Sequence, residues 1–206
     1  MEYTFEDYKK DLVDPEIPHI KSREHFKAFY DQLGTDDVQK SQGPVGQQIS
    51  LVKPKGLILE LGCHWGFNCL YYAKQGFKCT GVDVSTTLIA HGLKMLLKES
   101  KVVNSNVVLI NSFIEDFIPP HLYDTIILTE TLERVIDPLI ILKKAKECLK
   151  EDGIIYISAP ASMIGSNSHV RGINGDEMTK LINDAGLSVV SMNSTIDETL
   201  AIAKNI

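Results

Sequence analysis

From Lys55 to the C-terminus, short apolar runs alternate with stretches of helical periodicity, and this alternation constrains the fold more than any other feature. Gly56–Leu61, Phe77–Val82, Val107–Ile110, Tyr123–Leu128, Ile154–Ser158 and Leu187–Met192 read as strands. Residues 199–203 are apolar enough for a seventh. Helices are expected over 66–75, 86–99, 138–150 and 175–185, with Leu70, Tyr71 and Ala73 as inward positions of the first. Glu151-Asp152-Gly153 is read as the end of the third, and Gly186 as the stop of the last. Apolar runs that alternate with helices imply a mostly parallel, doubly wound α/β sheet covered on both faces. Ligands of such sheets bind outside the carboxyl ends of the strands, at the switch point.

Residues 1–53 are different: polar and aromatic, without a strong strand signal. Phe26, Phe29, Tyr30 and Leu33 recur at helical spacing, and 38–52 forms a second candidate helix interrupted near Gly43-Pro44. The expected organisation is a helical cap over 1–53 and a cofactor-binding domain over 54–206. Tyr30 and Phe26 are expected to close over the pocket.

The chain of 206 residues has 21 basic and 27 acidic side chains, a formal net charge of -6. A protein that grips a phosphate backbone usually carries a basic face. A small-molecule substrate is therefore favoured over nucleic acid. Cys63, Cys69, Cys79 and Cys148 form no Cys-x-x-Cys pair and no zinc-spaced cluster, so free thiols in a reducing compartment are expected. No signal peptide and no apolar run of about 20 residues is present, which points to a cytoplasmic protein without a membrane span. Oligomeric state stays open, a homodimer included.

Glu60-Leu61-Gly62-Cys63-His64-Trp65-Gly66 follows the first strand. Its glycines permit unusual backbone angles and close ligand approach. The helix after it offers unpaired amides to a carboxylate, and Glu60 suits a cationic group. A ligand with an amino-acid moiety carries both charges. A dinucleotide site wants G-x-G-x-x-G, and His64 and Phe67 occupy its second and third glycine positions.

The segment ILELGCHWGFNCLYYAKQGFKCTGVDVS resembles the first two motifs of class I S-adenosylmethionine-dependent methyltransferases. The first is an acidic residue followed by x-G-x-G-x-G. This chain keeps Glu60, Gly62 and Gly66 and has His64 at the middle glycine. Gly81-Val82-Asp83-Val84-Ser85 matches the second, whose acidic residue accepts hydrogen bonds from the ribose hydroxyls. Ser112–Phe117 matches the segment that packs on adenine, through Phe113 and Ile114. Tyr123–Val135 resembles the fourth-strand motif F-D-x-V-x-x-x-E-x-L-E-H-V, and Leu149–Gly153 the L-K-P-G-G turn. The resemblance spans 56–192 and is nearest the branch that includes the ubiquinone-biosynthesis O-methyltransferases.

The resemblance implies a Rossmann-like fold, S-adenosyl-L-methionine as cofactor, and O-methylation of a small molecule by in-line transfer. It assigns cofactor contacts to Glu60, Gly62, Cys63, His64, Gly66, Asp83, Val84, Leu88, Phe113, Ile114 and Thr129. Substrate contacts fall to Tyr30, Glu130, Arg134 and Arg171. His169, in Ser168-His169-Val170-Arg171, is the first candidate base. His64 is either a spacer or a base reaching the pocket. Some relatives hold acidic residues near substrate or metal at the positions of Glu130 and Glu133. Arg134 replaces the motif's histidine and is no ligand, so no metal is expected. Two rivals stand beside this reading: a non-catalytic S-adenosylmethionine-binding scaffold and a nucleotide-dependent oxidoreductase.

Overall fold

A computed structural model of the chain describes residues 24, 27, 28, 30–32, 52–162 and 169–206. Phe26, Phe29, Leu33, Ser168 and nearly all of the second helix expected over 38–52 lie outside the described residues. Glu24, Lys27, Ala28, Tyr30, Asp31 and Gln32 are helical.

The elements run β1 (Leu57–Leu61), α1 (Phe67–Lys74), β2 (Lys78–Asp83), α2 (Thr86–Leu96), α3 (Lys101–Ser105) and β3 (Val107–Asn111). There follow β4 (Tyr123–Thr129), α4 (Pro138–Cys148), β5 (Leu149–Pro160), α5 (Gly175–Asp184), β6 (Leu187–Ser194) and β7 (Glu198–Asn205). They build one seven-stranded sheet in the order β3-β2-β1-β4-β5-β7-β6. The first five strands in that order are mutually parallel, and β7 pairs antiparallel with both neighbours. The chain leaves β1 toward β2 on one side and later returns as β4 on the other. That reversal opens a crevice beyond the ends of β1 and β4.

The central strands are mostly apolar because both faces are covered, with Glu60 of β1 and Thr125 of β4 as buried polar exceptions. Ile58 of β1 and Ile127 of β4 pack with Cys69, Leu70, Tyr72 and Ile89 beneath α1 and α2. Their neighbours Leu59, Leu61, Ile126 and Leu128 point the other way, to Leu142, Ala145, Met178 and Ile182 of α4 and α5. Alternation along each strand thus feeds two cores.

Helix starts follow local chemistry. Ser85 Oγ accepts the Leu88 amide at 3.3 Å to open α2, and Asp137 with Pro138 opens α4. Asn174 and Glu177 form a capping box on α5.

Three expectations are corrected. The helix expected over 86–99 ends at Leu96, because Ser100 caps a separate turn, α3, and Asn104 Nδ2 donates to the Leu96 carbonyl at 2.9 Å. The helix expected over 138–150 stops at Cys148, and the fifth strand starts at Leu149 rather than Ile154. Tertiary partners pull this stretch into the sheet: Leu149 pairs with Tyr123, Lys150 Nζ meets Asp124 at 2.9 Å, and Asn205 Nδ2 donates to the Lys150 carbonyl at 2.9 Å. In α1 the inward aromatic is Tyr72, while Tyr71 is exposed.

Candidate active site

The loop after β1 is shaped by backbone. Gly62 has φ 80° and Gly66 φ 84°, left-handed angles that cost a residue with a Cβ. Space also excludes a side chain at Gly62, where a Cβ would stand 2.4 Å from Thr131 Oγ1. His64 has φ 54°. It adopts the left-handed conformation at the position where the resembled motif has its middle glycine. Histidine is among the residues that tolerate these angles best. The amides of Gly62 and Cys63 both donate to the Val82 carbonyl, at 2.8 and 3.0 Å.

Asp83 closes this half. Its Oδ2 accepts the His64 amide and its Oδ1 the Ser85 amide, each at 2.8 Å. Burial pushes its carboxyl above the ordinary range, against those two amides. Glu60 is buried as well, accepting from Asn68 Nδ2 at 2.6 Å and Cys69 Sγ at 3.3 Å. Burial raises its carboxyl to about 7. Both Glu60 oxygens therefore bond to α1 inside the protein. Cys63 is buried, with its thiol raised well above the ordinary value by the same desolvation. All four cysteines are free.

Of the other expected cofactor contacts, Leu88 is buried, whereas Val84, Phe113 and Thr129 are half-exposed. Ile114 packs within the core that includes Leu132 and Val135. Sequence reasoning missed Asp31. Its Oδ1 accepts from Ser85 Oγ at 3.2 Å and from the Thr87 amide at 3.3 Å. Lys27 Nζ joins Asp31 at 2.9 Å and Thr86 Oγ1 at 2.7 Å. The N-terminal helical segment is thereby tied to the start of α2, beside Asp83. Tyr30 and Asp31 are adjacent in sequence, yet Tyr30 belongs to the other half of the crevice.

That half is a cluster of charges. Glu130, just past β4, has φ 52°, and its amide donates to the Ser158 carbonyl at 3.1 Å. Thr131 Oγ1 donates to the Leu61 carbonyl at 3.1 Å, joining the two halves across β1 and β4. Glu133 is fully buried, and its Oε1 lies 2.8 Å from Arg134 Nε. The same Nε donates to the Glu130 carbonyl at 3.0 Å. Arg134 Nη2 stands 3.0 Å from His169 Nε2, which lies 3.8 Å from Glu133 Oε1. Tyr30 brings its hydroxyl beside the same guanidinium; burial pushes the phenol far up, and Arg134 opposes that.

Burial raises the Glu133 carboxyl to about 7 despite Arg134, and it raises Glu130 too. His169 is driven down to about 4, by burial first and then by the Arg134 charge. A guanidinium can only donate, so His169 Nε2 accepts and the imidazole is neutral. With its Nε2 lone pair engaged and its basicity low, His169 is poorly placed to take a proton from an acceptor. Arg171 bonds the carbonyls of Val135 and Ile136, each at 3.0 Å. It thereby fixes the turn that carries Glu133 and Arg134.

The match to a protein-family model, the methyltransferase domain, covers residues 45–192, and the chain belongs to that family. It is 29% identical over 122 residues to a ubiquinone biosynthesis O-methyltransferase of Actinobacillus pleuropneumoniae. That alignment takes in 58% of this chain and 48% of the relative, so the chain spans about half of that protein's length. A probable S-adenosylmethionine-dependent methyltransferase of Mycobacterium tuberculosis is 24% identical over 143 residues, covering 66% of this chain and half of that one. Among solved structures, the 1,6-didemethyltoxoflavin-N1-methyltransferase of Burkholderia thailandensis, with S-adenosylhomocysteine bound, aligns with TM-score 0.73. That alignment has 14% identity and covers 94% and 93% of the two chains. The CcbJ methyltransferase of Streptomyces caelestis aligns with TM-score 0.70 at 12% identity, over 82% and 95%. These likenesses show the fold. No helix among the described residues is long and apolar enough to cross a membrane.

Proposed function

We propose that the chain is an S-adenosylmethionine-dependent methyltransferase of a small molecule, with oxygen as acceptor atom and direct in-line transfer. The observation that carries this reading is the Gly62–Gly66 loop joined to Asp83, facing the Glu130–Arg134 turn across β1 and β4. The loop fits the cofactor: Gly62 and Gly66 turn it tightly with left-handed angles, packed so closely on Thr131 and Leu109 that no Cβ has room. Asp83 ends β2 with both oxygens already oriented by amides. Gly62, His64, Gly66, Asp83 and Leu88 would hold the ligand, with Val84, Phe113 and Thr129 on its flank. Bound there, it supplies an electrophilic sulfonium methyl group.

The protein's own work is then alignment and exclusion of water. Tyr30 and Asp31 close the two sides of the crevice from the N-terminal segment. Glu130 stands at the partly exposed edge of the charged cluster, with a raised carboxyl, and is better suited than His169 to accept the acceptor's proton. His169 acts as a positioning residue for Arg134. The oxygen acceptor rests on the relationship to ubiquinone biosynthesis O-methyltransferases. A nitrogen acceptor is the second reading. It is favoured by the acid-rich edge, where Glu130 faces the charge of Glu198 as well as that of Arg134.

Thermal stabilisation by S-adenosylhomocysteine, and none by nicotinamide cofactors, is expected; the reverse overturns the reading. Labelled-methyl transfer to a panel of phenols, alcohols and amines then separates oxygen from nitrogen. Stabilisation without transfer to any acceptor would favour a binding scaffold.

A further inference from the structure

Glu130, Glu133 and His169 bring two carboxylates and an imidazole together, with one donor atom from each lying within 4.8 Å of the others. That donor set is of the kind a divalent ion such as Mn²⁺ accepts. A metal does not fit the cluster as it stands, because a cation is already there. Arg134 Nε lies 2.8 Å from Glu133 Oε1, and Nη2 lies 3.0 Å from His169 Nε2. The imidazole lone pair that a metal would need is spent on the guanidinium. An ion seated among the three groups would also face a fixed positive charge at short range.

We propose that Arg134 is the resident cation of the Glu130–Glu133–His169 cluster, filling with a guanidinium a site that is otherwise competent for a divalent metal. The backbone prepares this role. The Arg134 amide donates to the Thr131 carbonyl at 3.1 Å, and Nε reaches back to the Glu130 carbonyl at 3.0 Å. Arg171 bonds the next two carbonyls along, holding the turn from the other side. Arg134 is anchored within the same turn as the two carboxylates it serves. Its charge is covalently held, so it does not dissociate with dilution or chelation. It compensates the buried Glu133 and orients His169 without an exchangeable ion.

Manganese titration of the full chain tests this, read by electron paramagnetic resonance and by thermal shift. Wild type and Arg134→Lys, which keep a positive charge there, are expected to bind no Mn²⁺ at this cluster. Arg134→Met removes the charge with little loss of volume and is expected to gain one bound ion. Its melting temperature would rise roughly 5–10 °C at a hundredfold excess over Kd. Mn²⁺ bound by wild type and lost in Glu133→Gln overturns the proposal, as does a folded Arg134→Met that binds none. If Arg134→Met does not fold, the wild-type titration decides alone. The activity arm rests on the methyltransferase reading: transfer unchanged by a chelator is expected. A protein that binds no Mn²⁺ and transfers no methyl group under any condition would count against that reading and leave the resident cation standing.

Discussion

The two sides of the strand-end crevice are made of different material. On the β1–β2 side the shape is drawn by backbone: Gly62, His64 and Gly66 take left-handed angles, and amides of His64 and Ser85 hold Asp83. All of it comes from one stretch, residues 60–88. On the β4–β5 side the work is done by side chains from distant parts of the chain: Tyr30, Glu130, Glu133, Arg134 and His169. The first side resembles a motif because its conformations depend on residue type within a few positions. The second is a charge network, whose members come from distant parts of the chain and orient one another in a desolvated setting.

Breaking the network is expected to have the largest effect. Glu133→Ala leaves the half-buried Arg134 without its carboxylate, 2.8 Å away in the native protein. The loss is on the order of 3–5 kcal/mol, measured by urea unfolding. A cost below 1 kcal/mol would mean the cluster is an assembly of independent contacts.

Proton linkage sharpens the comparison next, since both sides hold buried carboxyls. Glu60 and Glu133 are raised to about 7, so the folded protein binds more protons than the unfolded chain between about 4.5 and 7. Their contribution is full below about 4.5 and is lost as pH rises through 7. Asp83 works in the same direction. His169, lowered to about 4, opposes them: its contribution is present above about 6.5 and is lost as pH falls through 4. Two strongly raised carboxyls against one lowered imidazole predict lower stability at pH 7.5 than at pH 5.5. Glu60→Gln is expected to remove on the order of 2 kcal/mol of that pH dependence. Calorimetric melting across this range checks it, and an unchanged slope in Glu60→Gln would show that Glu60 titrates normally.

The smallest effect is expected at His64. With φ 54°, His64→Gly relieves a left-handed angle worth about 1 kcal/mol, offset in part by the extra freedom of glycine in the unfolded chain. Stability within about 1 kcal/mol and retained S-adenosylhomocysteine binding are the expected results. Abolished binding in calorimetry would make the imidazole a ligand contact and give this side of the crevice a second essential side chain beside Asp83.

Much of the fold was legible because burial on both faces writes itself as short, mainly apolar runs: Leu57–Leu61, Tyr123–Leu128 and Ile154–Ser158 needed no context. The errors lie where context won. Leu149–Gly153 has no strand signal, and its pairing with Tyr123 and Asp124 makes it one. Tyr71 and Tyr72 differ only in which side of α1 they face. Asp31 stands in no motif, and its contacts with Ser85 and Thr87 depend on a helical segment more than fifty residues upstream. His169 is a separate case: the resemblance of its His-x-Arg segment makes it the candidate base, and what lowers its basicity, burial and then Arg134, is not written in the neighbouring sequence.

The sequence by itself determined the strand-helix alternation, the glycine loop and the acidic residue at the end of β2. Each of these follows from residue type and spacing over a few positions. Only the tertiary structure decided what the charged groups beyond β4 do. Desolvation and the 2.8–3.0 Å contacts of Arg134 set their protonation and their partners. Both depend on which distant residues the fold brings within reach.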